Sequence, residues 1–208
     1  NVAEIKMNIH CTGTHTECVG HLLKDSGHIG MTLTDIFIPT ILITLEPKLF
    51  FETADTYHCD VMKEELVIAY SSIYRYISMF KNNLPKALVI RTVPNNIQKK
   101  TYNYNKYMPP FFTSNAMRLI KKLNIQHLVV DLPSVDRMDD DGILGNHRIF
   151  WGNNDDSLDG LDHKSKNTIT EFAFIPNKIK DGFYFLNIQI PNFICDAAPS
   201  RPLLFKVN

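Results

Sequence analysis

The sequence predicts an α/β fold built on a mixed β-sheet with flanking helices. Two observations lead there. Short β-branched runs alternate with stretches of helical periodicity through most of the chain. The C-terminal end instead strings apolar, strand-like segments together with no helical pattern between them. With 208 residues, 44% of them hydrophobic, the chain is long enough to bury one large core, and a single domain over 1–208 is expected.

Taken in order, "EIKMNI" (4–9) alternates polar and apolar residues and reads as a strand running into a dense polar motif. "PTILITLEP" (39–47) is a β-branched run between prolines, the mark of a buried strand. Asp60 is placed to cap a helix through "VMKEELVIAYSSIYRYI" (61–77), where apolar residues recur at helical spacing. "ALVIRTV" (87–93) is a second short buried strand. "TSNAMRLIKKLNI" (113–125) reads as a helix, with Thr113 or Ser114 as cap and Asn124 as stop. It leads into the strand "QHLVVDLPS" (126–134). The stretch 137–162 is loop-rich and acidic, interrupted by "LGNHRIFWG" (144–152), which has room for one or two helical turns. "TITEFAFI" (168–175), "FYFLNIQI" (183–190) and "PLLFKV" (202–207) close the chain as strands.

Charge narrows the function classes. Lys and Arg number 22, as do Asp and Glu, and the pI is near 7.2. That balance gives no electrostatic grip on nucleic acid or an anionic membrane. No run approaches the roughly 18 apolar residues of a membrane span, and no signal peptide is visible. The four cysteines, Cys11, Cys18, Cys59 and Cys195, show no CxxC spacing, so reduced thiols in a cytoplasmic protein are expected. The chain begins "NVAEIKMNIH", without an initiator Met and with little lead-in before the polar motif, so a preceding N-terminal segment is expected.

That motif is "CTGTHTECVGH" (11–21). Cys11, Gly13, His15 and Glu17 sit at even offsets, so an extended strand turns them all to one face. A thiolate, an imidazole and a carboxylate together form a ligand set for zinc or a related divalent ion. At ~3.3 Å per residue, Cys11 to Glu17 spans roughly 20 Å when straight. Ligands of one ion must lie within about 4 Å of each other. The chain must therefore bend, and Gly13 and Gly20 are where it can. Spacing also allows a plainer reading, with Cys11 a small buried hydrophobe, His15 and His21 turn histidines, and Glu17 a surface charge.

The motif and three later stretches together resemble the cyclase family of metal-dependent hydrolases, which includes bacterial kynurenine formamidases. The family's HxGTHxDxPxH pattern meets Cys11, Gly13, Thr14, His15, Glu17, Val19 and His21. In the family's order follow "VVDLPSVD" (129–136), "GNHRIFWG" (145–152) and "TITEFAFIPNKIKDGFYFLNIQIP" (168–191). The resemblance covers nearly the whole chain. It implies the swivelling β/β/α architecture, with a barrel-like sheet, and one or two divalent ions, zinc or manganese. Carried over position by position, it makes Cys11, His15, Glu17, His147 and Glu171 metal ligands. Glu17 and Glu171 are then placed to bridge, and His21 is the acid/base. It further implies a small-molecule substrate and a homodimer or homotetramer.

Cys11 stands where the family has His, Glu17 where it has Asp, and Val19 where it has Pro. A thiolate ligand adds charge to the metal and makes a bound water less acidic. His163 is the fallback for His147. Asp131 and Asp136 are expected to cap and orient loops beside the site. Glu171, inside an apolar strand, needs a partner for its carboxylate, and a metal would supply one. His10, His28, His58 and His127 lack a supporting constellation and read as structural or exposed. Trp151, Phe111 and Phe112 read as core.

The expected function is hydrolysis of a small amide, formamide, imide or lactone-like bond by metal-bound hydroxide, with His21 moving the proton. Two rivals stand beside it. One is a metal-stabilised binding or structural protein of the same fold that has lost turnover. The other is a cysteine nucleophile, Cys11 or Cys18, working with His21.

Overall fold

The computed structural model describes residues 2–23, 27–80, 84–152 and 160–207. Its helices are α1 (Ile9–Thr12), α2 (Ile29–Thr32), α3 (Tyr70–Ile77), α4 (Ser114–Lys122) and α5 (Gly145–Trp151). The strands are β1 (His15–Cys18), β2 (Ile38–Leu45), β3 (Lys48–Leu49), β4 (Leu66–Ile68), β5 (Ala87–Thr92) and β6 (Phe111–Phe112). They continue as β7 (His127–Val130), β8 (Thr168–Glu171), β9 (Gly182–Gln189), β10 (Ala197–Pro199) and β11 (Arg201–Lys206).

Eight strands form one curled sheet, a half-barrel, in the order β10-β1-β8-β7-β5-β2-β9-β11. The inner four, β8, β7, β5 and β2, run parallel. Antiparallel strands flank them: β1 joins β8 to β10, and β9 joins β2 to β11. The inner strands are nearly continuous apolar runs because both faces are covered. On one face Ile41, Ile43, Leu88, Ile90, Leu128, Val130 and Ile169 pack against Ile73 and Ile77 of α3, Met117 and Ile120 of α4, and Phe150 and Trp151 of α5. On the other, Leu42, Ala87, Val89, Val129, Leu186 and Ile188 form a second apolar layer with Cys18. A small sheet, β3-β4-β6, lies apart from this one.

The strands read from "PTILITLEP", "ALVIRTV", "QHLVVDLPS" and the three C-terminal segments are all present. So is the helix at 114–122, where Thr113 Oγ1 accepts a hydrogen bond from Ala116 N at 3.1 Å. Phe111, Phe112 and Trp151 are buried in the core.

Two expectations fail. "EIKMNI" is not a strand: it precedes and enters the single turn of α1, with Val2 and Ile5 98% and 83% exposed. Its alternation finds no neighbouring strand here, and an unpaired strand has no independent stability. The helix read over 61–77 is only α3, because Leu66–Ile68 is β4 and pairs with Phe111 and Phe112. Asp60 does not cap it; Asp55 instead accepts the Tyr70 N–H at 2.6 Å. Sheet pairing of the "LVI" run outweighs a helical periodicity that Tyr70 onward satisfies alone. Strand β10 was not anticipated. Among the described residues, no helix is long and apolar enough to cross a membrane.

Candidate metal centre

Sheet register assembles the site. β1 and β8 pair antiparallel with His15 opposite Glu171 and Glu17 opposite Ile169. Alternation sends Thr16 and Cys18 to the face opposite α3, α4 and α5, where Thr16 Oγ1 meets Thr170 Oγ1 at 2.7 Å and Cys18 joins the second apolar layer. His15, Glu17 and Glu171 therefore share the helix-covered face. There α5 brings His147, a buried side chain near its N-terminal end.

Glu17 is the centre. Its Oε1 lies 2.8 Å from His147 Nε2, and its Oε2 lies 3.0 Å from His10 Nδ1 and 4.0 Å from His21 Nε2. His147 is held from behind, with Nδ1 2.6 Å from Asp136 Oδ2, and its Nε2 is also 3.6 Å from Glu171 Oε1. Glu171 Oε1 accepts the Val135 N–H at 2.8 Å. His15 Nδ1 donates to Gly13 O at 2.9 Å, which directs Nε2 towards Glu171 Oε2, 3.5 Å away. On the outer side, His10 and His21 stack with ring centres 4.1 Å apart. Both meet Asp196 Oδ2, His10 through Nε2 at 2.8 Å and His21 through Nδ1 at 3.1 Å.

Two sets of ligand atoms result, each mutually within 4.8 Å: His10, Glu17 and His21, and Glu17, His147 and Glu171. Glu17 belongs to both. A divalent ion fits this donor set on two counts. His15 Nε2 is buried with no hydrogen-bond partner among the described residues, and Glu17 Oε2, also buried, has only its ion-pair contacts with His10 and His21. Buried polar atoms left so are costly unless something satisfies them. The carboxylates are also crowded out of water and must be neutralised.

The imidazoles and carboxylates of this cluster also shift one another's pKa strongly. Burial opposes charge on His147, yet Glu17 and Asp136 raise its pKa well above the usual range. Burial likewise opposes charge on His10, but Asp196 and Glu17 push it up to about 10. Burial would raise Glu17, but His147, His10 and His21 hold it far below the ordinary carboxylate range. Hydrogen bonds from His10 and His21 hold Asp196 far below its range too. A cation entering such a cluster displaces protons, the usual behaviour of metal ligands.

Of the six residues expected at the site, the structure brings His15, Glu17, His21, His147 and Glu171 together. It does not bring Cys11, whose thiol is exposed on α1. The chain before Gly13 is a helical turn and not a strand, so the phase shifts by one residue and His10 faces the carboxylates instead. His163, the fallback, is exposed in a turn. Asp136 does more than cap a loop, since it fixes the ring of His147. Asp131 does orient a loop, bonding Thr92 N and Thr92 Oγ1 at 2.9 Å each and Lys99 Nζ at 2.7 Å. Sequence reasoning missed His10, whose signal was its place beside Cys11, and Asp196, which has no local signal.

The fold and this site define a class: an α/β half-barrel with a His/Glu centre between its sheet and one helix. The family model described as "Putative cyclase" matches residues 2–137, and the chain belongs to the cyclase family. Solved structures agree on the fold. A "predicted metal-dependent hydrolase" from Bacillus stearothermophilus superposes with a TM-score of 0.61 at 18% identity, over 97% of this chain and 79% of that one. A "potential metal-dependent hydrolase with cyclase activity" gives 0.63 at 18%, over 97% and 81%. Isatin hydrolase A from Labrenzia aggregata gives 0.59 at 14%, over 97% and 75%. No curated protein matches the sequence.

Proposed function

We propose that the chain is a divalent-metal-dependent hydrolase that opens an amide, formamide, cyclic amide or lactone bond of a small molecule. The observation that carries this reading is Glu17, buried and shared by two ligand groups, with one oxygen held only by ion-pair contacts to His10 and His21. His15, Glu17, His147 and Glu171 would hold the ion or ions, and His10 would stand in for Cys11. An imidazole and carboxylate set without thiolate suits zinc or manganese. When bound, a divalent ion at such a site polarises a carbonyl and acidifies a water.

The chain's own groups supply the rest. Asp196 binds His21 at Nδ1, leaving Nε2 directed at the Glu17 group. In that posture His21 accepts a proton from the attacking water and returns it to the leaving nitrogen or oxygen. Its side chain is partly exposed. A cavity of about 240 Å³ borders the segment carrying His15, lined by Gly13, Thr14, Lys99, Tyr104, Phe172 and others, and has room for a small substrate. The isatin hydrolases among the structural neighbours support hydrolysis of a small molecule, which is what their name describes.

The rival of a metal-stabilised protein without turnover rests on Cys11 and Glu17. His10, sitting where Cys11 was expected to act, removes half of that motive. The test is turnover on a panel of N-formyl anilines, cyclic amides and lactones. The reading expects activity that disappears on chelation and returns with zinc or manganese. Turnover that persists in protein shown by elemental analysis to be metal-free would overturn it.

A further inference from the structure

A third group of metal-ligating side chains lies behind His147, built from residues outside the proposed catalytic set. His58, Asp136 and Asp140 each offer a ligand atom, and these atoms lie within 4.8 Å of one another. His58 Nε2 is 3.5 Å from Asp140 Oδ2, and both side chains are only 6% exposed. Neither His58 Nδ1 nor Nε2 has a hydrogen-bond partner among the described residues. A buried imidazole with both nitrogens unsatisfied is an anomaly that calls for a ligand or a proton.

The ring's seat is built for it. A Cβ at position 145 would lie 2.0 Å from His58 Nδ1, so Gly145 alone leaves room for the imidazole at the start of α5. Tyr57 closes the other side, its ring centre 4.0 Å from that of His58. Asp140 is anchored by the chain around it, accepting Gly142 N at 3.0 Å and Leu144 N at 2.7 Å, which leaves lone pairs on both oxygens. Asp136 already receives Tyr57 OH, Asn146 N and both nitrogens of His147 that face it, so it contributes mainly charge. The guanidinium of Arg137 is bonded to Glu65 and to Asp139 O. Asp60, Asp139 and Asp141, with Arg137, line a further cavity, where the acidic groups outnumber the basic one.

We infer that His58, Asp140 and Asp136 form a second, structural site for a divalent transition ion such as zinc, separate from the Glu17 centre. His58 Nε2 and Asp140 Oδ2 are its anchoring ligands, and water fills the positions the protein leaves open. An imidazole and a carboxylate are both donors that zinc accepts, and the charge of Asp136 beside them adds to the attraction. An ion here would pin the loop 136–145 to the segment bearing His58, and through Asp136 it would stiffen the support of His147. The site does not depend on the chain being a hydrolase, and its occupancy can be read without turnover.

The experiment counts zinc. Full-length Glu17→Gln, which lacks the carboxylate common to the two other groups, is stripped and titrated with zinc against a chromophoric competitor. It should still bind one equivalent, and adding His58→Gln or Asp140→Asn should weaken that equivalent at least tenfold. Circular dichroism confirms that each variant is folded. Should both second variants fail to fold, zinc-soaked wild-type crystals decide: an anomalous peak within bonding distance of His58 Nε2 is expected. Unchanged zinc binding in folded His58→Gln, or a filled Glu17 centre with no peak at His58, overturns the site.

Discussion

Glu17 Oε1 and His147 Nε2 lie 2.8 Å apart although 130 residues separate them in sequence. Strand β1 supplies one and the short helix α5 the other, so the contact exists only when the sheet and helix layers close. His147 in turn takes its orientation from Asp136, 2.6 Å from its other nitrogen. A carboxylate behind a ligating imidazole fixes both tautomer and ring angle.

Asp136→Asn tests that support. The amide keeps the shape but removes the charge that faces His147 Nδ1. Metal affinity or turnover should fall about 10- to 100-fold, the usual cost of losing such a partner. Retained affinity in a folded variant would show that the ring is held by packing alone.

His10 and Cys11 offer a sharp contrast between neighbours. Cys11→Ser should leave metal content and activity within about twofold of wild type, because the thiol is exposed. His10→Ala should lower metal content, since its ring lies 3.0 Å from Glu17 Oε2. The reverse ranking in elemental analysis would restore Cys11 as the ligand.

Acid sensitivity should trace partly to His127. Burial, the largest influence, lowers its pKa although Asp35 pulls the other way. The folded state thus holds fewer protons on this ring than the unfolded chain, whose value is about 6.5. Its stability is fully present above pH ~6.5 and is lost as pH falls towards the lower folded value. Between pH 7.5 and 5.5, Tm should drop less for His127→Gln than for wild type. Equal slopes would assign the acid sensitivity elsewhere.

The cap of α4 gives a check on the fold itself. Thr113 Oγ1 accepts from Ala116 N at 3.1 Å and donates to Asp55 Oδ2 at 2.7 Å. Thr113→Ala should cost about 1–2 kcal/mol in urea unfolding, the upper part of the range for lost N-caps. A change below about 0.3 kcal/mol would mean that the cap is redundant with packing.

The sequence was most readable where burial is two-sided. β2, β5 and β7 are apolar without interruption because helices cover one face and a second apolar layer the other, and that pattern is local. It misled where a segment satisfied two patterns: residues 66–68 continue a helical periodicity yet pair with β6, a partner more than 40 residues away. At the site, His15, Glu17 and Glu171 were legible because strand alternation sets their face. His10 was not, because one helical turn before Gly13 shifts the phase by a residue. Asp196 comes to His10 from the far end of the chain, 186 residues on, and nothing in "ICDAAP" announces it.

The central claim is that Glu17 organises a metal centre. Its most direct test is the number of zinc equivalents held by folded, stripped and reconstituted wild type and Glu17→Gln under identical dialysis. Wild type should hold at least one equivalent more than the variant, because both groups that share this carboxylate lose it. Equal zinc content in the two proteins would contradict the centre as described.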